Sequence, residues 1–178
     1  MSKNAIKLLI LSDIHGDIRN AAEAISRQRG ADLYIFLGDG VDDMLYVVPP
    51  DMRNRLVMVR GNCDTGASIM TRSLKKTEIL TLGGHRILLT HGDLYGVKYG
   101  EEGLYRLAEE QGCDIVLFGH THRPRESYRD GVYLFNPGSI TGGLGVPPSA
   151  GLLTLDGDVV LFSHMSLAPT AEPSPFFH

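Results

Sequence analysis

The sequence predicts an α/β protein built from two packed sheets rather than one doubly wound sheet. Three observations carry this reading. The first third alternates apolar strands with helical segments, the pattern of parallel βαβ units. The second half trades most of its helices for hairpins turned on glycine. Five apolar strands each finish on a potential metal-ligating side chain beside a glycine, and in α/β sheets a ligand site lies outside the carboxyl ends of the strands.

The elements follow in order. "IKLLIL" (6–11) reads as a buried strand, and "IRNAAEAISRQR" (18–29) as a helix on helical spacing with Gly30 just past its end. "LYIFLG" (33–38) is a second strand. "DDMLYVV" (42–48) is a short helix stopped by Pro49 and Pro50, and "RLVMVRG" (55–61) is a third strand. Then "KTEILTL" (76–82), Gly83–Gly84 and "HRILLTH" (85–91) make a hairpin. "EEGLYRLAEEQG" (101–112) is a helix ending at Gly112, and "DIVLFG" (114–119) is a buried strand. Two further hairpins turn at Asp130–Gly131 within 125–135 and at Asp156–Gly157 within 150–164. Residues 167–178 carry three prolines and no periodicity, so the domain is expected over 1–166 and a mobile tail over 167–178.

A chain of 178 residues suits one domain, and 43% hydrophobic with 21% charged residues is ordinary for a soluble globular protein. The net charge is -4 and no Lys/Arg block exists, which disfavours general nucleic-acid binding. The first apolar run leads into Ser12–Asp13 rather than a small-residue cleavage site, so it reads as a strand and not a signal peptide. No apolar run is long enough to span a bilayer. Cys63 and Cys113 form no disulfide framework and no C-x-x-C, so a cytoplasmic location with reduced thiols is expected. The apolar strands offer an edge for a homo-oligomer.

The polar residues at the strand ends define the chemistry. Asp13 and His15 follow the first strand, Asp39 the second, Asn62 and Asp64 the third, His91 the fifth, and His120 and His122 the strand at 114–118. Singly, each has a bland explanation: a helix cap, an Asx turn, a satisfied histidine. Jointly they place four of the seven histidines with the carboxylates at successive strand ends. In extended chain, residues i and i+2 face the same side, so Asp13 with His15, and His120 with His122, are expected to grip in pairs. Nitrogen and oxygen donors without a thiolate suit Mn, Fe, Co, Ni or Zn rather than Mg or Ca. Seven ligands exceed one four-coordinate ion and suit two ions sharing a carboxylate, roughly 3.5–4 Å apart.

These motifs, D-x-H (Asp13, His15), G-D (Gly38, Asp39), G-N-x-D (Gly61, Asn62, Asp64), H-G (His91, Gly92) and G-H-x-H (Gly119, His120, His122), resemble the calcineurin-like metallophosphoesterase superfamily in type and order. The short length, "VRGNCD" and "NPGS" look most like its small single-domain YfcE-type phosphodiesterases, whose fold is shared with a retromer subunit of the vacuolar sorting machinery. The resemblance implies a four-layer α/β/β/α sandwich of two mixed sheets flanked by helices. It implies one metal on Asp13, His15 and His122, a second on Asn62, His91 and His120, and Asp39 between them. It further implies a metal-bridging hydroxide attacking phosphorus in line, with Asn62 and His120 as catalytic residues. The expected cofactor is a pair of divalent transition metals, manganese foremost, with Ni, Co, Fe or Zn as alternatives. The expected substrate is a small phosphodiester.

Cys63, Asp64, Arg60 and Arg123 are candidates to support the metals or touch substrate, and Lys98 and Arg125 lie close to the motifs. Asp64 is expected to orient a ligand. The superfamily often reads G-N-H-[D/E], with that histidine proposed to protonate the leaving group. Here the position is Cys63, and a thiol is a poor replacement. "FNPGS" (135–139) reads as turn chemistry near the metal rim. The alternatives are a phosphomonoesterase or dinucleoside polyphosphate hydrolase of the same superfamily, and a non-catalytic, retromer-like interaction scaffold.

Overall fold

The protein is described by a computed structural model over residues 5–66, 68–143 and 145–167. The first sheet runs through β1 (Ile6–Leu11), β2 (Leu33–Phe36), β3 (Leu56–Met58), β9 (Ser149–Asp156) and β10 (Val159–Ser166), in the order β10-β9-β1-β2-β3. The second is made of β4 (Thr77–Leu82), β5 (His85–Thr90), β6 (Ile115–Leu117), β7 (Pro124–Arg129) and β8 (Val132–Pro137), in the order β4-β5-β6-β8-β7. Both sheets are mixed. β1, β2 and β3 are parallel while β9 runs antiparallel to β1. β5, β6 and β8 are parallel while β4 and β7 are antiparallel edges.

Alternation along the strands builds the layers. In β1, Leu8 and Ile10 enter the core between the sheets, beside Ile35, Ile87, Ile115 and Phe135. Leu9 and Leu11 point the other way, onto α1 (Ile18–Arg27) and α2 (Val41–Val47). With both faces buried, the strand has no polar alternation, and so it reads as one apolar run. On the far side, Leu88, Val116 and Leu134 pack with Leu104 and Ala108 of α4 (Glu102–Gln111). The result is the expected α/β/β/α sandwich. No helix among the described residues is long and apolar enough to cross a membrane.

Two segments depart from the sequence reading. The expected strand 55–61 holds only as Leu56–Met58, because Arg60 N–H leaves the sheet for Lys75 O. A helix α3 (Ile69–Ser73), capped by Ser68 Oγ on Thr71 N–H, was not foreseen. It has five residues and exposes Ile69 and Met70, so it leaves no apolar periodicity to read. The expected tail begins at 167. Leu167 is buried and its N–H bonds to Pro148 O, and 168–178 lie outside the described residues.

Candidate metal centre

The chain does not run on extended past the strands. Asp13, His15, Asp39, His120 and His122 all have positive φ, between 43° and 67°, and the only other described non-glycine residue to do so is the turn residue Asp130. The extended-chain pairing of His120 with His122 is therefore corrected. His120 and His122 are themselves left-handed, and their imidazoles turn to different groups: His122 toward Asp13 and His15, His120 toward Asp39 and His91. Asp13 and His15 do converge, but on a left-handed backbone. Such a conformation costs on the order of 1–3 kcal/mol per residue, so the surroundings must hold it. Here Asp13 N–H bonds Gly38 O at 3.0 Å, Ile14 N–H bonds Asp39 O at 2.9 Å, and Gly119 N–H bonds His91 O at 3.0 Å.

The first group is Asp13, His15 and His122, whose ligand atoms lie within 4.8 Å of one another. Asp13 is fully buried. Its Oδ2 accepts from Ser12 Oγ at 2.6 Å and from the His120 N–H at 3.1 Å. Its Oδ1 forms no hydrogen bond, although His122 Nε2 stands 3.0 Å and His15 Nε2 3.7 Å away. A buried carboxylate oxygen left bare among imidazole nitrogens fits a cation position. Burial pushes the Asp13 carboxyl up, but His122 and His15, the His91 charge and the Ser12 hydroxyl outweigh it and hold it well below the usual range. The same Asp13 raises His15 and His122.

The second group is Asp39, His91 and His120. His91 is fully buried, and its Nδ1 lies 2.9 Å from Leu37 O. A carbonyl can only accept, so Nδ1 carries the proton and Nε2 faces the site, the arrangement expected of a ligating histidine. That Nε2 stands 3.3 Å from Asp39 Oδ2 and 3.1 Å from His120 Nδ1. Burial opposes charge on His91, but Asp39 and Asp13 raise its pKa nonetheless. Burial, then the His91 and Lys98 charges, lower that of His120. Burial raises Asp39, while His91 and the Cys63 N–H bring it down to about 2. Asp39 also reaches the first group, with Oδ2 3.9 Å from His15 Nε2.

Asp64 holds this corner together through the backbone. One carboxylate accepts from Gly61 N–H at 2.7 Å, Asp39 N–H at 2.8 Å, Gly40 N–H at 2.9 Å and Val41 N–H at 3.0 Å. It thus ties the ends of β2 and β3 and the start of α2. Cys63 donates its backbone N–H to Asp39 Oδ1 at 2.8 Å, and its Sγ clusters with His15 and Asp39. Burial, followed by the nearby carboxylates, pushes that thiol up to about 11. Asn62 is exposed and its Nδ2 bonds Cys63 Sγ at 3.2 Å. Arg60 Nε is buried without a hydrogen bond. Arg123 and Lys98 are exposed, and Arg125 is spent on Glu101 at 2.8 Å.

Several supports escaped the sequence reading. Asn136 is fully buried and donates to Gly119 O at 2.8 Å and Thr121 Oγ1 at 3.1 Å. Ser139 Oγ donates to Asp13 O at 3.0 Å, and Ile140 N–H to Ser12 O at 3.0 Å. "NPGS" is thus a brace across the two sheets as well as a turn. Gly119 is needed for close approach, because a Cβ there would overlap Ser12 Oγ. The available signal was a buried-strand asparagine followed by Pro-Gly-Ser.

Residues 6–158 match the model of the calcineurin-like phosphoesterase superfamily domain. The chain belongs to that superfamily. This metallophosphoesterase is 34% identical over 135 residues to the probable metallophosphoesterase YsnB of Bacillus subtilis, covering 76% of this chain and 75% of that one. It is 31% identical over 176 residues to the phosphodiesterase YfcE of Escherichia coli, covering 87% and 90%. Vacuolar protein sorting 29 from Cryptosporidium parvum superposes with a TM-score of 0.73 at 20% identity, covering 91% of this chain and 98% of that one, a likeness of fold. The metallophosphoesterase carries all five motifs at the ends of its strands, with the two donor groups side by side.

Proposed function

We propose that this metal-dependent phosphoester hydrolase is a phosphodiesterase with a dinuclear centre. Asp13, His15 and His122 would hold one divalent cation and His91, His120 and Asn62 the other, with Asp39 shared. The observation that carries the reading is Asp39 Oδ2, within 3.9 Å of His15 Nε2 on one side and 3.3 Å of His91 Nε2 on the other. Two bound cations would supply hydroxide at neutral pH, for in-line attack, and offset charge on the phosphoryl oxygens. Manganese is the first candidate for this nitrogen and oxygen set, with Ni, Co, Fe or Zn as alternatives.

The chain's own residues do the rest. His91, fixed by Leu37 O, keeps a nitrogen aimed inward. Burial lowers the His120 pKa, which favours the neutral ring that offers a lone pair. Asn62, whose Nδ2 here bonds Cys63 Sγ, would give its carbonyl to the cation and its NH2 to the phosphate. Cys63, with its thiol up at about 11, makes a weak acid, which favours substrates whose leaving groups need no proton. The fold likeness to vacuolar protein sorting 29 supports a second reading, an interaction scaffold, but a scaffold has no need of six converging donors.

The test is bis-p-nitrophenyl phosphate hydrolysis by chelator-stripped protein, with each metal restored singly. Turnover is expected only after a transition metal returns, with two ions per chain by elemental analysis. Asp39→Asn is expected to weaken both sites while the fold survives. Full turnover in excess chelator with no metal present would overturn the reading, and undiminished binding of two ions by Asp39→Asn would remove Asp39 as the shared ligand.

A further inference from the structure

Two clefts flank the centre, and they differ in sign. One, of about 250 Å³, takes in His15 and Asp39 and is walled by Asp42, Asp43 and Asp64. The other, of about 500 Å³, sets Lys98, Arg123 and Arg125 against one carboxylate, Glu101, around Val97 and Phe118. Two lining residues adjoin the donors: Thr121 lies between His120 and His122 in the chain, and Val97 packs against Gly92, the neighbour of His91.

The cations of this second cleft are not equivalent. Arg125 is held by Glu101, which also accepts from Ser127 Oγ at 2.8 Å. Lys98 and Arg123 are exposed and have no ion pair among the described residues. A floor of Val97, Phe118 and Pro124 under two uncommitted cations suits a spacer ending in an anion. Lysine serves phosphate as a point charge and arginine as a planar fork. The carboxylates of the smaller cleft repel the same group. The volume is that of a small-molecule site.

We propose that the preferred substrates are phosphodiesters in which one ester group carries a second phosphate, held by Lys98 and Arg123 in this cleft. The proposal deepens the phosphodiesterase reading and rests on it.

The test compares thymidine 5′-(p-nitrophenyl phosphate) with the same ester bearing a 3′-phosphate. The quantity read is the ratio of kcat/KM, with over without the extra phosphate, so a general loss of activity cancels. The ratio is expected at about tenfold or more in the natural protein, the worth of one charge-assisted contact. It should fall to about one in Lys98→Ala/Arg123→Ala and below one in Lys98→Glu/Arg123→Glu. Calorimetry in chelator gives a readout free of turnover: thymidine 3′-monophosphate should bind the natural protein more tightly than thymidine does, and lose that advantage in the double alanine variant. A ratio near one in the natural protein, with both esters hydrolysed, overturns the cleft assignment and leaves the phosphodiesterase reading standing. Hydrolysis of neither ester overturns both. A preference that persists in the double variants places the second phosphate elsewhere.

Discussion

Cys63 shows how a backbone and a side chain at one position can have separate roles. Its N–H fixes Asp39 Oδ1, and any residue but proline supplies that bond. Its Sγ sits beside His15 and Asp39 with the proton firmly on sulfur. Cys63→Ala should therefore cost little on an activated nitrophenyl diester. Cys63→His should help esters with alkoxide leaving groups more than nitrophenyl ones, since general-acid catalysis is worth about 10²–10⁴-fold where the leaving group needs a proton. The check is kcat/KM for both variants across leaving groups of different pKa. Loss of nitrophenyl turnover in Cys63→Ala, with metals and fold intact, would mean that the thiol takes part. The departure from histidine was legible in "GNCD"; the hold of the Cys63 N–H on Asp39 was not, because sequence carries no sign of which amides a carboxylate will find.

The elements explain why the donors were legible and their supports were not. Strands buried on both faces read as apolar runs, so a polar residue at the end of each stood out, and five such ends formed a recognisable set. The turn after each strand did not stand out. A left-handed aspartate or histidine looks like any other, and the extended-chain expectation for His120 and His122 failed on that point. Asn136, Ser139 and Ser12 read as loop polarity, although they brace Gly119 and Asp13. Asp64 was singled out as an orienting residue, and it acts on four amides rather than on a side chain. Asp64→Ala leaves those N–H groups without their carboxylate. The loss should be about 1–3 kcal/mol of stability per amide left buried and unsatisfied, less where water reaches it. Urea unfolding of chelated protein should show it, together with weakened metal binding. A variant with unchanged midpoint and metal affinity would show that these bonds are replaceable.

At the scale of the molecule, each donor group spans both sheets. Asp13 and His15 come from the first sheet and His122 from the second; Asp39 comes from the first, His91 and His120 from the second. On the proposed ligand assignment, protons and metals compete for these clasps. His15, His91 and His122 are raised above the ordinary 6.5 by their carboxylates, so in chelated protein their contribution is complete below that value and fades as pH climbs through the raised ones. Asp13 and Asp39, being lowered, contribute above the ordinary 3.8 and fade only in stronger acid. His120, lowered, runs the other way, one imidazole against three. Metal binding requires neutral imidazoles and releases their protons. The gap in Tm between manganese-loaded and chelated protein should therefore widen from pH 5.5 to pH 8. A gap that narrows over that range would contradict the ligand assignment.

The strand order also has a consequence for synthesis. β1 precedes every other described strand in the chain, yet it sits between β2 and β9, and β9 begins only at Ser149. Until then the earliest strand has one flank open, and Asp13, His15 and Asp39 wait for His91, His120 and His122. A nascent chain that stops short of β6 carries both carboxylates with His15 and His91 but lacks His120 and His122, so neither donor group is complete. On the proposed ligand assignment, firm metal capture waits until His120 and His122 have followed β6, so an ion held tightly would certify that synthesis has passed that strand.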